Sequence, residues 1–207
     1  MPVQEIAIVI QEGVQALDVA GPMDVFAEAN TFLDKADRYE TVLVAAHGQP
    51  LRASNGIRML ADLTLEEAAA GFDIVLVAGS AMPTEAEPEP SLVEWVKELP
   101  WRSGIYGSIC TGAFVLGYAG LLDDRRVTTH WQDAPALAAR FPKAKVEPDA
   151  IYIRDGRLIT AAGVTAGIDL GLALVEQRHG AETALKVAKR LVVVAQRQGG
   201  QSQFSPY

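Results

Sequence analysis

The sequence is poor in cysteine and in long apolar runs, and each shortage excludes a class of protein. Its 207 residues include one cysteine, which rules out an internal disulfide framework and suits a reducing compartment. No apolar run approaches the roughly 20 residues that a membrane-spanning helix needs. No basic segment precedes the first apolar run, so no signal peptide is expected. We therefore expect a cytoplasmic protein with no membrane partner.

Basic residues are also scarce, because 18 Lys and Arg stand against 26 Asp and Glu, for a net charge of −8. DNA binding depends on neutralising phosphates with basic side chains. Any contact with DNA is therefore expected only through a domain that is absent from this chain. The cysteine and the 3 histidines do not have metal-ligand spacing, so neither a metal nor a cofactor is predicted.

What is abundant is apolar sequence, at 49% of the residues, divided into segments of strand and helix length. The runs at 5–10, 39–46 and 72–80 are typical of parallel strands buried on both faces. The pattern predicts an α/β fold, a flavodoxin-like three-layer sandwich with a mostly parallel sheet, and a ligand crevice at the carboxyl ends of its strands. We assign residues 1–197 to this domain and residues 198–207 to a linker-like tail.

Several local elements follow from turn and cap signals. Asn55-Gly56 and Asp155-Gly156 predict hairpins. Pro22 predicts the first turn of a helix, which would leave Asp18 in the preceding loop or just before the helix. There Asp18 could face the crevice or cap the helix. The last helix is predicted from 182 to 197, with Leu185 and Val192 among its buried residues and with Lys186, Lys189, Arg190 and Arg197 on a solvated side.

The stretch 104–112 (Gly-Ile-Tyr-Gly-Ser-Ile-Cys-Thr-Gly) is the centre of the predicted site. An apolar strand ends at Cys110, and a helix-competent segment follows at once. Ser108-x-Cys110-x-Gly112 is similar to the G-x-S-x-G nucleophile elbow, with cysteine as the nucleophile. A helix N-terminus favours the thiolate. The alternative is a buried, inert cysteine that serves as a small hydrophobic residue.

With this elbow in place, the chain resembles the ThiJ/PfpI superfamily of class I glutamine-amidotransferase-like domains. The matching features are the acidic Asp18, the Ala78-Gly79-Ser80 strand end, the stretch 109–112, Val127-Thr-Thr-His130 and the stretch 163–170. More narrowly, 17–26, 129–131 and 199–205 resemble the amidase-like sensor domain of AraC-type regulators of the GlxA group. The pattern Leu-Asp-x-x-Gly-Pro is also similar to the isonitrile hydratase branch.

The resemblance implies a role for each site residue. Cys110 would be the reactive thiol and Asp18 its carboxyl partner, protonated because burial raises its pKa. Backbone N–H groups of Gly79 and Thr111 would form an oxyanion hole. Ser80 would join this ligand-binding set if its φ is not positive. His130 would lie near the thiol as a base.

Two departures narrow the activity. Superfamily proteases carry histidine directly after the cysteine, where this chain has Thr111, so a peptidase is not expected. The late His-x-Glu of glutamine amidotransferases is absent too. The main hypothesis is a ligand-sensing domain of a transcriptional regulator, a homodimer that binds a small metabolite. The alternative is a cysteine-dependent hydratase or hydrolase of the isonitrile hydratase type, and whether the chain is an enzyme stays open.

Overall fold

The computed structural model describes residues 3–69, 71–81, 86–195, 197 and 199–204. Within these residues the strands are β1 (Gln4–Val9), β2 (Tyr39–Ala45), β3 (Leu51–Arg52), β4 (Arg58–Met59), β5 (Leu63–Thr64), β6 (Phe72–Val77), β7 (Ser103–Ile109), β8 (Arg126–Val127), β9 (Lys145–Val146), β10 (Tyr152–Asp155) and β11 (Leu158–Ala161). The helices are α1 (Ala16–Ala29), α2 (Pro90–Lys97), α3 (Leu99–Arg102), α4 (Gly112–Tyr118), α5 (Ala134–Arg140), α6 (Ala166–His179) and α7 (Ala181–Leu191). Short 3₁₀ helices cover Lys35–Asp37, Glu67–Ala69 and Gln201–Gln203.

The main sheet of the described chain has the strand order β10-β11-β7-β6-β1-β2-β5. Its strands pair in parallel except for β10, which runs antiparallel to β11 at one edge. The carboxyl ends of β1, β6 and β7 therefore meet at one edge of the sheet, and the loops that follow these strands carry the predicted site. The predicted mostly parallel α/β fold is confirmed.

The sheet is covered on both faces because its central strands are apolar on both faces. In β1, Ile6 packs into the cluster shared with α1, α6 and α7, and its neighbour Ala7 packs into the cluster shared with α2 and α4. This alternation is what a buried parallel strand requires, since successive side chains point to opposite faces. The predicted three layers are observed.

Two small sheets lie outside the main one. β3 and β4 form the hairpin predicted at Asn55-Gly56. β8 pairs in parallel with β9 and leads to the loop that carries Thr128, Thr129 and His130. None of the helices among the described residues is long and apolar enough to cross a membrane.

The prediction for the first helix was wrong at its start. α1 begins at Ala16, so Asp18 lies in its first turn and Pro22 lies inside the helix. A proline has no N–H to donate to the carbonyl four residues earlier, which is why the sequence favoured a later start.

The prediction for the last helix was wrong at its end. α7 stops at Leu191, and Val192 adopts the left-handed φ of 58°. Leu185 and Val192 are exposed (44% and 90%), whereas the buried face consists of Ala184, Val187 and Ala188. Parts of the predicted tail, residues 198 and 205–207, lie outside the described residues.

Candidate functional site

Cys110 occupies a sharp turn between β7 and α4, as the elbow pattern predicts. Its φ of 56° lies in the left-handed region that residues other than glycine seldom adopt, so the turn stores backbone strain. The turn is held by the Cys110 N–H, which donates to the Ala161 carbonyl at 3.0 Å. It is also held by the Cys110 carbonyl, which accepts from the Thr129 hydroxyl at 2.8 Å. Such over-determined strain is typical of functional sites.

The Cys110 thiol is buried, at 9% exposure. Burial, followed by the negative charge of Asp18, raises the pKa of this thiol to about 12, against the lowering effect of hydrogen bonds from Thr111. Desolvation of the thiolate therefore outweighs the attraction of the helix N-terminus that the sequence favoured. At neutral pH the structure holds Cys110 as the neutral thiol.

Asp18 is fully buried and joins two loops to α1. One carboxylate oxygen accepts from the Gly79 N–H at 3.0 Å, and the other accepts from the Val164 N–H at 2.7 Å. Burial raises the pKa of this carboxyl to about 6, and the two N–H donors partly offset the rise. The raised pKa that the resemblance implies is thus present, and its cause is desolvation.

Backbone N–H groups beside the elbow already have partners. The Gly79 N–H donates to Asp18, and hydrogen bonding from Thr111 lowers the pKa of the Cys110 thiol. The φ of Ser80 is not positive, since the described non-glycine residues with positive φ are Cys110, Asp124, Val164 and Val192. Its N–H nevertheless donates to the Thr111 hydroxyl. In this structure the Gly79 N–H is therefore engaged by Asp18, and the Ser80 N–H by Thr111.

Thr111 clamps the elbow to the end of β6. Its hydroxyl accepts from the Ser80 N–H at 2.9 Å and donates to the Ser80 carbonyl, also at 2.9 Å. The clamp uses the hydroxyl alone, at the position where the superfamily proteases carry histidine.

We expect Thr111→Val to lower the free energy of unfolding by about 1–2 kcal/mol, because both backbone groups of Ser80 lose their partner. Thr111→Ser keeps the hydroxyl and should stay within about 0.5 kcal/mol of wild type. Urea denaturation of the three proteins measures both differences. Equal losses in the two variants would contradict the clamp.

His130 follows β8 but forms no hydrogen bond with the Cys110 sulfur in the described chain. Its Nδ1 lies 3.7 Å from an Asp133 carboxylate oxygen, and its ring lies 5.5 Å from that of Trp131. The residue of this loop that does contact the elbow is Thr129, through the Cys110 carbonyl. Sequence reasoning quoted Thr129 only as part of a motif and did not assign it a role.

A cleft lies beside the elbow, on the side of the sheet that α2 and α4 cover. It has a volume of about 210 Å³, and Ser80 and Thr111 form part of its wall. Cys110, Asp18 and His130 are not among its lining residues. The described lining consists of Ile10, Gln11, Glu12, Ala46, His47, Leu51, Ser80, Ala86, Glu87, Pro88, Glu89, Leu92, Thr111, Phe114 and Val115.

The cleft combines an apolar floor with acidic walls. Phe114, Val115 and Leu92 are buried, while the lining glutamates Glu12, Glu87 and Glu89 are exposed, and the described lining includes no lysine or arginine. These residues could not be grouped from the sequence, since they come from four separate loops and helices. Across the described residues, no cluster of three or more His, Cys, Asp or Glu could hold a metal ion.

Comparison with known proteins places the chain among relatives of two kinds. The DJ-1/PfpI family matches residues 4–177. The HTH-type transcriptional regulator CdhR of Pseudomonas aeruginosa is 35% identical over 190 residues, which are 92% of this chain and 55% of the regulator. Isonitrile hydratase of Pseudomonas putida is 32% identical over 190 residues, 90% of this chain and 77% of the hydratase.

Among solved structures, a ThiJ/PfpI family protein from Pseudomonas syringae has a TM-score of 0.81 at 24% identity, over 96% of this chain and 78% of that one. At this level of identity the similarity supports the fold and no statement about function. This chain spans about half the length of the regulator that it matches. The predicted resemblance to the superfamily, and to its regulator and isonitrile hydratase branches, is confirmed.

Proposed function

The chain belongs to the DJ-1/PfpI family, and from this premise we propose that it is the ligand-sensing domain of a transcriptional regulator. A small metabolite binds in the cleft beside the Cys110 elbow. The observation that carries the proposal is that backbone donors beside the elbow are already hydrogen-bonded. The Gly79 N–H donates to Asp18, and the Ser80 N–H donates to Thr111.

Turnover at this elbow would need a thiolate and a free pair of donors for the developing oxyanion. The thiol is instead buried with a pKa of about 12. The cleft next to it is open and has the mixed character of a binding pocket, an apolar floor with a few polar groups at fixed positions. These features support recognition of a ligand more than chemical conversion of it.

The charge of the cleft favours one class of ligand. Three carboxylates line it, and the only basic side chain of its described lining is His47. A small organic cation with an apolar body suits these walls, because an anion would meet like charges as it lost its water.

The test compares n-butylammonium with butyrate, which both carry a short unbranched alkyl chain and differ in the sign of their charge. We expect n-butylammonium to raise the melting temperature and butyrate to leave it unchanged, with the response weakened in Glu87→Gln. Glu94→Gln is the matched control, since Glu94 lies outside the cleft, on α2, and pairs with Lys97. Binding of butyrate as strong as that of n-butylammonium would overturn the ligand class.

Regulation would require a DNA-binding domain, as in the relatives named as HTH-type regulators. Sequencing the gene beyond codon 207 tests this requirement. An in-frame helix-turn-helix segment supports the regulator, and a stop codon contradicts it. The homodimer and the cytoplasmic location expected from the sequence remain part of this proposal.

A second candidate is an isonitrile-hydrating enzyme, favoured by the similarity to isonitrile hydratase and by the buried carboxyl of Asp18 at the elbow. Such an enzyme would add water to an isonitrile and release an N-substituted formamide. We expect no turnover of n-butyl isonitrile by the purified protein. Formamide production that disappears in Cys110→Ala and in Asp18→Asn would establish the enzyme instead.

A further inference from the structure

The C-terminal segment, residues 193–204 without 196 and 198, folds back onto the domain, and we refer to it as the strap. Its composition, rich in Gln, Gly and Ser, is that of a flexible linker. In the structure it begins where α7 ends at Leu191, and it forms the 3₁₀ helix Gln201–Gln203. Two polar anchors hold it.

The first anchor is Gln201, which is 3% exposed. Its side-chain carbonyl accepts from the Trp131 N–H at 2.8 Å. Its amide nitrogen lies 2.9 Å from the carbonyl oxygens of Thr129, Pro148 and Ala150. Burying an amide is costly unless its carbonyl and its NH₂ group both find hydrogen-bond partners. Gln201 has partners for both groups, which indicates a specific docked position.

The chain around Gln201 is adapted to this insertion. The N–H groups of Gln201 and Ser202 both donate to Asp149, at 2.7 Å each. A Cβ on Gly200 would lie 2.2 Å from a carboxylate oxygen of Asp149, so a side chain here would displace the carboxylate that binds the Ser202 N–H. Gly200, although it lies in a segment with the composition of a linker, therefore helps the strap to dock on the domain.

The second anchor is Arg197, which forms a bidentate ion pair with Asp169. Asp169 is 8% exposed and lies in the first turn of α6. At the second anchor the strap borders a cavity of about 260 Å³, which includes Ala195 and Arg197 in its lining. The strap is thus held at two points by polar contacts and borders open space at one of them.

Both anchors attach to segments that enclose the elbow. Gln201 holds the backbone of Thr129, whose hydroxyl binds the Cys110 carbonyl. Asp169 belongs to the helix that follows Gly163 and Val164, where Val164 donates to Asp18 and a Cβ on Gly163 would lie 2.3 Å from the Cβ of Cys110. A displacement of Cys110 therefore reaches Gln201 through the Thr129 loop, and it reaches the Arg197–Asp169 pair through residues 163–164.

We propose that the strap couples the elbow to the C-terminal end of the chain, with Gln201 as the positioning residue. A change at Cys110 loosens the strap, and loosening of the strap opens the elbow, since such coupling acts equally in both directions. This inference rests on the proposed function, because it supplies the route by which a sensing domain would signal to chain that follows it.

The test uses iodoacetamide, which alkylates the Cys110 sulfur and releases iodide and a proton. We expect Gln201→Ala to label roughly tenfold faster than wild type, because the loop that covers the elbow loses its buried partner. Gln203→Ala is the matched control. Gln203 is exposed, and its amide donates to the Gly200 carbonyl within the strap, so its labelling rate should stay within about twofold.

The reverse direction is measured on wild-type protein by hydrogen exchange. Alkylation of Cys110 should speed exchange of the Gln201 and Ser202 amides roughly tenfold or more. The hydrogen-exchange experiment tests the coupling even if Gln201→Ala fails to fold. Unchanged exchange after alkylation, or labelling of folded Gln201→Ala at the wild-type rate, would overturn the coupling. Neither arm uses a ligand, so failure here leaves the proposed sensing function standing, and failure of ligand binding leaves this coupling intact.

Discussion

Replacing Gly163 with alanine should lower the free energy of unfolding by about 3–5 kcal/mol, since it combines overpacking with a disfavoured backbone conformation. A Cβ at this position would lie 2.3 Å from the Cβ and 2.7 Å from the sulfur of Cys110, and the φ of Gly163 is +105°. The thiol and this glycine therefore share a space that cannot hold one more carbon. Urea denaturation gives the value.

The control for Gly163 is Gly120→Ala. Gly120 also has a positive φ, +72°, but nothing lies within 4 Å of its added Cβ, so only about 1 kcal/mol should be lost. In a Cys110→Gly background the additional cost of Gly163→Ala should shrink, because the colliding Cβ and sulfur are gone. Equal losses for the two glycine variants would show that the contact with Cys110 does not matter.

Asp18→Asn should remove a pH dependence of stability. Burial raises the pKa of Asp18 from 3.8 to about 6, so the folded state binds this proton more tightly than the unfolded state. The contribution of Asp18 to stability is then greatest below about pH 4, falls as the pH rises to about 6 and stays level above that, a change of up to about 3 kcal/mol. Asparagine does not ionise and lacks this decline.

The measurement is the difference in the free energy of unfolding between wild type and Asp18→Asn across this range. We expect asparagine to cost about 1–2 kcal/mol near pH 4, since its NH₂ group cannot accept from one of the two N–H donors. The cost should shrink or reverse by neutral pH. Asp24→Asn, an exposed change on the same helix, should follow the wild-type profile. A difference that does not vary with pH would contradict the assignment.

Local patterns were sufficient to predict the sheet and the elbow. The strands around Ile6, Ile74 and Ile109 are apolar runs of the right length, and parallel strands buried on both faces require such runs. The elbow follows from a strand and a helix that meet at Cys110. These features depend on residues that are neighbours in the sequence, so one sequence suffices to find them.

The contacts that define the site could not be predicted in this way. The partner of Asp18 is Val164, 146 residues further along the chain, and Val164 adopts a φ of 53° that a β-branched residue rarely takes. The strap was missed for a related reason. Val192 ends α7 in the left-handed region although the residues after it favour a helix, so Arg197 reaches Asp169 instead of solvent.

The sequence also left the state of the thiol undecided. A cysteine beside a helix N-terminus and a carboxyl can be a thiolate or a neutral buried thiol. Which of the two forms depends on how much water reaches the sulfur. The structure answers with Gly163 packed on Cys110 and with Asp18 fully buried beside it. These long-range contacts exclude solvent from the sulfur, and this exclusion raises the pKa of the Cys110 thiol.

The pH dependence of Cys110 alkylation by iodoacetamide, from neutral pH to about pH 11, tests most directly whether the elbow senses rather than reacts. Since burial and the charge of Asp18 hold the pKa of the thiol at about 12, wild type should label slowly with no inflection near neutral pH. Asp18→Asn should lower this pKa, because it removes the negative charge. An inflection near pH 7 in wild type, shifted upward in Asp18→Asn, would mean that Asp18 stabilises a thiolate and would contradict the account.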